Sequence, residues 1–289
     1  MSTSTLDPTA PGVPARLLSR LRRLRDLPVG VIAALAVLLV VLAFSLLPGV
    51  FTRGDPTLGV PSEKFLAPGA GHLLGTDHLG RDLADRIIAG SASSMTSALL
   101  AVGIGVLIGS AVGLLGGFFG GVTDAVLGRV VDMLLAIPSF LLAVVVVTAL
   151  GYDSRNAAIA TGISAVAVFA RLMRAEVLRV RSSVYVEASE LSGASRPFTL
   201  LRHVLPNAVR PVLSLAVLQF GLAILTIAGL SFLGYGDPPP ASDWGLLVAD
   251  GREHLLHAPW LVIAPGATIA VVVLSVSRLS RFLDDGGHR

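Results

Sequence analysis

The side chains that most often carry chemistry are few in this sequence, and none of them forms a constellation. His72 and His78, or His254 and His257 at one-turn spacing, are the candidate metal ligands, but two histidines fall short of the usual three or four, and there is no cysteine to complete a set. A phosphate-binding loop needs Gly-Lys-Ser/Thr after a strand, and the sole lysine, Lys64, follows Glu63. No nucleophile–base pairing is apparent. No catalytic residue, metal ligand or cofactor site is therefore assigned, and the chain is not expected to be an enzyme. Two polar islands remain. One is Tyr185-Val-Glu187-Ala188-Ser-Glu-Leu-Ser-Gly193, followed by His203-Val-Leu205-Pro206-Asn207. The other is His72-Leu-Leu-Gly75-Thr76-Asp77-His78-Leu-Gly80-Arg81-Asp82.

The elements that must position these islands are membrane spans. Hydrophobic residues make up 53% of the chain and charged residues 14%, against about 25% in an ordinary soluble domain. A bilayer-crossing helix takes about 20 mainly apolar residues. Charge-free runs place spans at about 29–48, 87–118, 131–151, 156–173, 211–235 and 258–278. The fourth is short, and the Lys/Arg distribution decides it, because cytoplasmic flanks carry the excess. With six spans and both termini inside, 16 of the 22 basic residues lie inside and 6 outside. Removing the fourth span would move seven arginines, from Arg171 to Arg210, to the outer face. The expected architecture is thus all-α and integral to the membrane, with a cytoplasmic tail over residues 1–28, a transmembrane domain over 29–283 and a second tail over 284–289. The first span is too long for the roughly 7–15 residues of a signal-peptide core and lacks a small-x-small cleavage site after it, so it reads as an uncleaved helix.

Within this frame the islands have a physical reading. Residues 184–191 can form a short helix on the cytoplasmic face, ended by Gly193, with Pro206 bounding a second piece before the fifth span. At the outer face, Gly75 and Gly80 permit turns, while Asp77, Arg81 and Asp82 can pair and cap the next helix. Gly105, Gly109, Gly113, Gly117 and Gly121 recur every fourth residue, a stripe on which a neighbouring helix can pack closely. Pro138 lies in an apolar run and is expected to kink it. Trp244 is expected in an outer loop, anchored at the interface. The spans hold no isolated Asp, Glu or Lys near their middles, which counts against a proton-coupled carrier. Gln219 and Thr226 are the polar candidates to face a pathway.

The spacing from Glu187-Ala188 to Gly193 and on to Leu205-Pro206 resembles the cytoplasmic "EAA" loop, here residues 184–207, of permease subunits from ABC importers. The segment Leu74-Gly75-Thr76-Asp77 with Gly80-Arg81-Asp82 resembles the outer segment of C-type permeases in dipeptide, oligopeptide and nickel systems. Val131-Asp132 through Ile137-Pro138-Ser139, and Ser231-Phe-Leu-Gly234 with Trp244-Gly245, agree with that family. Ser189 stands where alanine is frequent, and the ending Arg278 to Asp285 is a degraded form of the family's tail. The resemblance implies the ABC importer permease fold with a cytoplasmic coupling helix. It assigns Glu187, Ala188, Gly193, Leu205 and Pro206 to coupling with an ATPase, and Asp77, Arg81, Asp82 and Trp244 to the outer face where a binding protein docks; Gln219 and Thr226 by their polarity, and Pro138 by its break, are the pathway candidates. The implied partners are a homologous second permease, two ATPase subunits that bind ATP and magnesium, an external solute-binding protein, a short peptide as cargo, and membrane lipid, with no nucleic acid. The implied location is the bacterial plasma membrane. A nickel complex, haem or a glycopeptide is the alternative cargo, and an ATP-independent carrier or scaffold the alternative class.

Overall fold

A computed structural model describes residues 28–286. The proposed N-terminal tail, apart from Pro28, and the last three residues of the C-terminal tail lie outside the described residues. Among the described residues, five helices are long and apolar enough to cross a bilayer, and a helix pair bent by 93° makes six if it is counted as one broken span.

The first helix, α1 (Val29–Leu46), starts directly after Pro28. Helix α2 (Leu83–Phe119) has 37 residues. At 1.5 Å per residue that is about 55 Å, far more than a hydrocarbon core of about 30 Å, so α2 projects beyond it. Its start is fixed by Asp82, whose carboxylate accepts from the Asp85 N–H at 3.1 Å. Its end is fixed by Gly120 and Gly121, whose positive φ values of 66° and 55° turn the chain into α3 (Gly121–Leu135).

Helix α3 does not continue into the apolar run that follows. It stops at Ala136–Ile137, and α4 (Ser139–Leu150) begins after Pro138 at 93° to it. The expected kink inside one span at 131–151 is thus a break between two helices. Proline removes a donor and pushes the residue before it out of the helical region, and here both effects fall at one point. Helix α5 (Ser154–Arg181) is capped by Asp153, which accepts from the Asn156 N–H at 2.6 Å. The short α6 (Val184–Leu191) follows, then a helical stretch from Arg196 that leads into α7 (Leu205–Phe232). Helix α8 (Trp244–Arg252) lies between α7 and the last span, α9 (Trp260–Gly286).

Helices α2 and α5 form the centre of the fold. The glycine stripe makes this possible: a Cβ on Gly109 would lie 2.5 Å from the Val166 carbonyl oxygen and 2.6 Å from the Phe169 Cβ. Gly113 and Gly117 face the Ala170 and Arg174 carbonyls in the same way, and Gly162 of α5 returns the contact against Ala101 and Ile104. Gly121 meets nothing and serves the turn instead. Phe169, Met173 and Val177 of α5, with Ile224 and Ile227 of α7, fill the core around this pair. Leu99, Leu107, Val145, Ile263 and Leu274 stay exposed, as the lipid-facing sides of spans require.

Candidate functional site

Arg181 closes α5 by donating from its guanidinium to the Phe118 carbonyl at 3.0 Å, which ties the end of α5 to the end of α2. The chain then turns through Ser182 and Ser183 into α6. Val186 is 1% exposed and Val204 is buried, so one side of α6 and the turn after it are pinned to the core. The other side is open. Glu187 and Ala188 are exposed, flanked by Val184 and Leu191 at 81% and 83% exposure. Gly193 takes φ +85°, a backbone that favours glycine, and lets the Ala194 N–H reach the Ser189 carbonyl at 3.2 Å, closing the helix. His203 sits between the rings of Tyr185 and Phe198, at centroid distances of 6.4 and 5.8 Å.

Pro206 was expected to bound a separate piece. The helix instead runs through it: Leu200–Val204 is a π turn, in which the Leu205 N–H bonds to the Leu200 carbonyl, and Pro206 stands in the first turn of α7. Proline at that position loses no bond of its own helix start, and the widened turn before it accommodates the missing donor. Glu187, Ala188, Gly193 and Pro206 are all exposed, and Leu205 is half-buried; α6 with the turn after it forms a ledge on the surface.

At the start of α2, the end of the fold away from α6, the residues expected at the outer face are turned into the protein. Asp77, Arg81 and Trp244 are 3%, 2% and 0% exposed, so in this conformation they offer a docking partner no surface. The physical reason is pairing. The Asp77 carboxylate accepts from the Leu79 and Arg81 backbone N–H groups at 2.8 and 3.0 Å, from Arg81 Nε at 2.6 Å and from the Arg86 guanidinium at 3.0 Å. Burial pushes its pKa up, but these N–H bonds and the Arg81 charge outweigh burial and hold it below the ordinary carboxylate value. Arg86 continues the network to Asp250 and to the Ala241 carbonyl. Trp244 donates from its indole to the Ile87 carbonyl at 3.0 Å, locking α8 onto α2 instead of anchoring at the interface. Asp82 stays half-buried, bonded to His72 at 2.8 Å. Of the candidate histidines, His72 bonds to Asp82 and His78 lies against His254, with ring centroids 5.4 Å apart. Among the described residues no group of three or more metal-type ligands converges.

Helices α2, α4, α5 and α7 line a half-open cavity of about 260 Å³. Gln219 and Thr226 line it from α7, as do Thr161 and Ser164 from α5, and Ser139 at the start of α4. Pro138 is exposed at the adjoining break. Ser139, Thr161 and Ser164 were not singled out by sequence, because hydroxyl residues in apolar helices ordinarily bond their own backbone.

The family described as binding-protein-dependent transport system inner membrane component matches residues 101–286. A putative peptide transport system permease protein of Brucella suis is 37% identical over 270 residues, spanning 92% of this chain and 88% of that protein. The probable D,D-dipeptide transport system permease protein of Escherichia coli K12 is 37% identical over 251 residues, 87% of this chain and 84% of that one. The dipeptide transport system permease protein of Alkalihalophilus pseudofirmus is 35% identical over 225 residues, 78% and 74% of the two chains. Among solved structures, an amino acid ABC transporter chain aligns with a TM-score of 0.55 at 17% identity, over 70% of this chain and 94% of that chain. A chain of the inward-facing methionine ABC transporter aligns with 0.54 at 16%, over 68% and 96%. These two likenesses speak to the fold alone.

Proposed function

This chain belongs to the family of binding-protein-dependent transport system inner membrane components, and from that premise we propose that it carries short peptides inward as one permease of an ATP-driven importer. It is a non-catalytic, multi-pass translocation subunit. The peptide cargo is supported by the relatives, which are named for peptide, dipeptide and D,D-dipeptide transport. In this reading a second permease completes the pathway, an external solute-binding protein delivers the cargo, and two ATPase subunits hold ATP and magnesium. Both termini lie in the cytoplasm, where the α6 ledge meets an ATPase.

The observation that carries the reading is the α6 ledge. Transmission of force needs a segment that is exposed to its partner yet stiff toward its own spans. Glu187, with Ala188, Val184 and Leu191 around it, supplies an exposed surface that joins apolar side chains to a carboxylate. Buried Val186 and Val204, the His203 contacts and the continuous helix into α7 make it rigid. Closure of the two ATPases then moves α6 as a body, the turn at Gly193 passes the motion to the helical stretch from Arg196 that runs into α7, and the cavity between α2, α4, α5 and α7 changes its access. Gln219 and Thr226 face cargo in transit, and the Pro138 break lets α4 reorient against α3. The buried outer cluster holds the rim on which the binding protein sits, with Asp82 and Asp250 as its partly exposed carboxylates.

The test is uptake of labelled tripeptide into proteoliposomes holding the purified assembly, with binding protein and ATP supplied. Glu187→Ala should insert normally and lose most uptake together with the hydrolysis that uptake stimulates. Wild-type uptake by this variant at equal membrane levels would refute the coupling role, and absence of uptake by the wild type would refute the peptide cargo.

A further inference from the structure

Helix α5 starts at the end of the fold away from α6, beside an open cleft of about 530 Å³. Ser93, Ser97 and Leu100 of α2, Arg155 of α5 and Asp237, from the segment between α7 and α8, line it. The Asp237 carboxylate accepts from the Ser154 N–H at 2.9 Å, and the rings of Tyr152 and Tyr235 meet edge to face at 5.2 Å. The start of α5 is thereby tied to the segment that carries Asp237.

Two carboxylates and one guanidinium line the cleft, and their commitments differ. Asp153, the cap of α5, spends both oxygens on Asn156, at 2.6 and 3.1 Å. Asp237 uses only its Oδ1, and its Oδ2 accepts no hydrogen bond among the described residues. Arg155 is exposed and forms no ion pair with either carboxylate. A positive and a negative group therefore share one cleft without neutralising each other. Ser97 is a separate observation. It is 7% exposed and lines the cleft. Ser91 and Thr96 of the same helix bond back to carbonyls four residues earlier, at 3.0 and 2.6 Å, as hydroxyls in apolar helices ordinarily do. Ser97 makes no such bond, and its oxygen keeps accessible surface, unlike the sealed hydroxyl of Ser154.

We propose that this cleft binds a short zwitterionic peptide whole, with its ammonium on Asp237, its carboxylate on Arg155 and its backbone against Ser97, before the peptide enters the cavity between α2, α4, α5 and α7. The inference rests on the peptide-importer reading above. A simple cation would meet Arg155 and the positive end of α5, and a simple anion would meet Asp237; a molecule with both charges satisfies both. The volume lies within the roughly 300–1,000 Å³ of pockets that enclose whole small ligands. The cleft and the cavity are neighbours on the same helices. Leu100 lines one and Ala101 the other, and Ser154 and Thr161 stand two turns apart on α5, about 10 Å at 1.5 Å per residue.

The chain has no cysteine, and the Thr96 hydroxyl bonds only its own helix, so Thr96→Cys places a single thiol of this chain in the cleft. The assembled complex carrying it is placed in lipid nanodiscs, and modification of this chain by a neutral maleimide is followed by mass. The probes are dialanine, dialanine amide, N-acetyldialanine and δ-aminovalerate, which separates its two charges by as many bonds as dialanine does. Dialanine and δ-aminovalerate should slow labelling, and each blocked peptide should need about tenfold more, the loss expected for one hydrogen bond between charged groups. Arg155→Gln should erase the preference for dialanine over its amide, and Asp237→Asn the preference over the acetylated form, each leaving the other preference in place. Arg155 is exposed, and asparagine keeps an oxygen for the Ser154 N–H, so folding is not at stake; a merely structural loss would move all probes alike. Ser97→Ala should weaken protection by dialanine about fivefold. Protection by δ-aminovalerate with none by dialanine would keep the zwitterion site and remove the peptide reading. Equal protection by dialanine and its blocked forms, no protection by any probe, or preferences that survive both charge substitutions would overturn the proposal.

Discussion

Gly109→Ala and Gly103→Ala put the same methyl group on the same helix with opposite expected results. At Gly109 the new Cβ would lie 2.5 Å from the Val166 carbonyl oxygen, where ordinary contact begins at 3.4 Å, and 2.6 Å from the Phe169 Cβ. Neither obstacle is the flexible end of a side chain, so α5 has to withdraw from α2 along the stripe. Overpacking of this kind costs about 1–3 kcal/mol. At Gly103 the added Cβ meets nothing within 4 Å, and only the helix preference of alanine over glycine remains, a gain of about 0.8–1.0 kcal/mol. Both variants gain that preference, so they should differ by the overpacking cost alone, roughly 1–3 kcal/mol, which corresponds to roughly 2–12 °C at about 2–4 °C per kcal/mol. Thermal unfolding of the purified complex in mild detergent, followed by loss of monodisperse protein, reads the difference. Equal melting of the two variants, or a higher value for Gly109→Ala, would refute the close-packed α2–α5 interface.

Three further outcomes are expected. Asp77→Asn strands the buried guanidinium groups of Arg81 and Arg86 and should cost about 3–5 kcal/mol, read as lower melting and faster proteolysis between Thr52 and Asp82. Because the folded-state pKa of Asp77 is depressed, its contribution is complete above the unfolded value near 3.8 and is lost as pH falls through the lower folded value; acid titration of the wild type should show this loss and Asp77→Asn should lack it. Gly193→Asp places a side chain at φ +85°, a local cost of about 1–2 kcal/mol, and should reduce coupled ATP hydrolysis while membrane levels of the chain stay unchanged.

The spans and the α6 helix were legible because the signals are local. A charge-free run marks a span whatever surrounds it, and Val184–Leu191 lies between a turn and Gly193 in sequence as it does in space. The 93° break was half legible: Pro138 announces a discontinuity, but the angle is set by how α3 and α4 pack separately on α5, through Val131 against Ala167 and Ala170 and through Ala143 and Val147 against Ala157 and Ala160. The inward turn of the outer residues was not legible. Arg86 finds Asp250 and Trp244 finds Ile87 across more than 150 residues of chain, and a polar run in sequence looks the same whether its charges meet solvent or one another. Ser97 was invisible for a similar reason, since only the structure separates it from hydroxyls that bond their own helix.

The central claim is that α6 is the surface through which an ATPase drives this chain. Ala188 is exposed beside Glu187 on that surface, and Ala188→Cys introduces a thiol into a chain that has none. A short thiol-to-amine cross-linker applied to the complex purified from its native membrane, with and without ATP, reads the contact directly. The account predicts one dominant product joining this chain to an ATPase subunit, with a yield that changes on ATP binding. Recovery of the chain without an ATPase, or cross-linking no greater than from a cysteine placed at outer-loop Leu256, would contradict it.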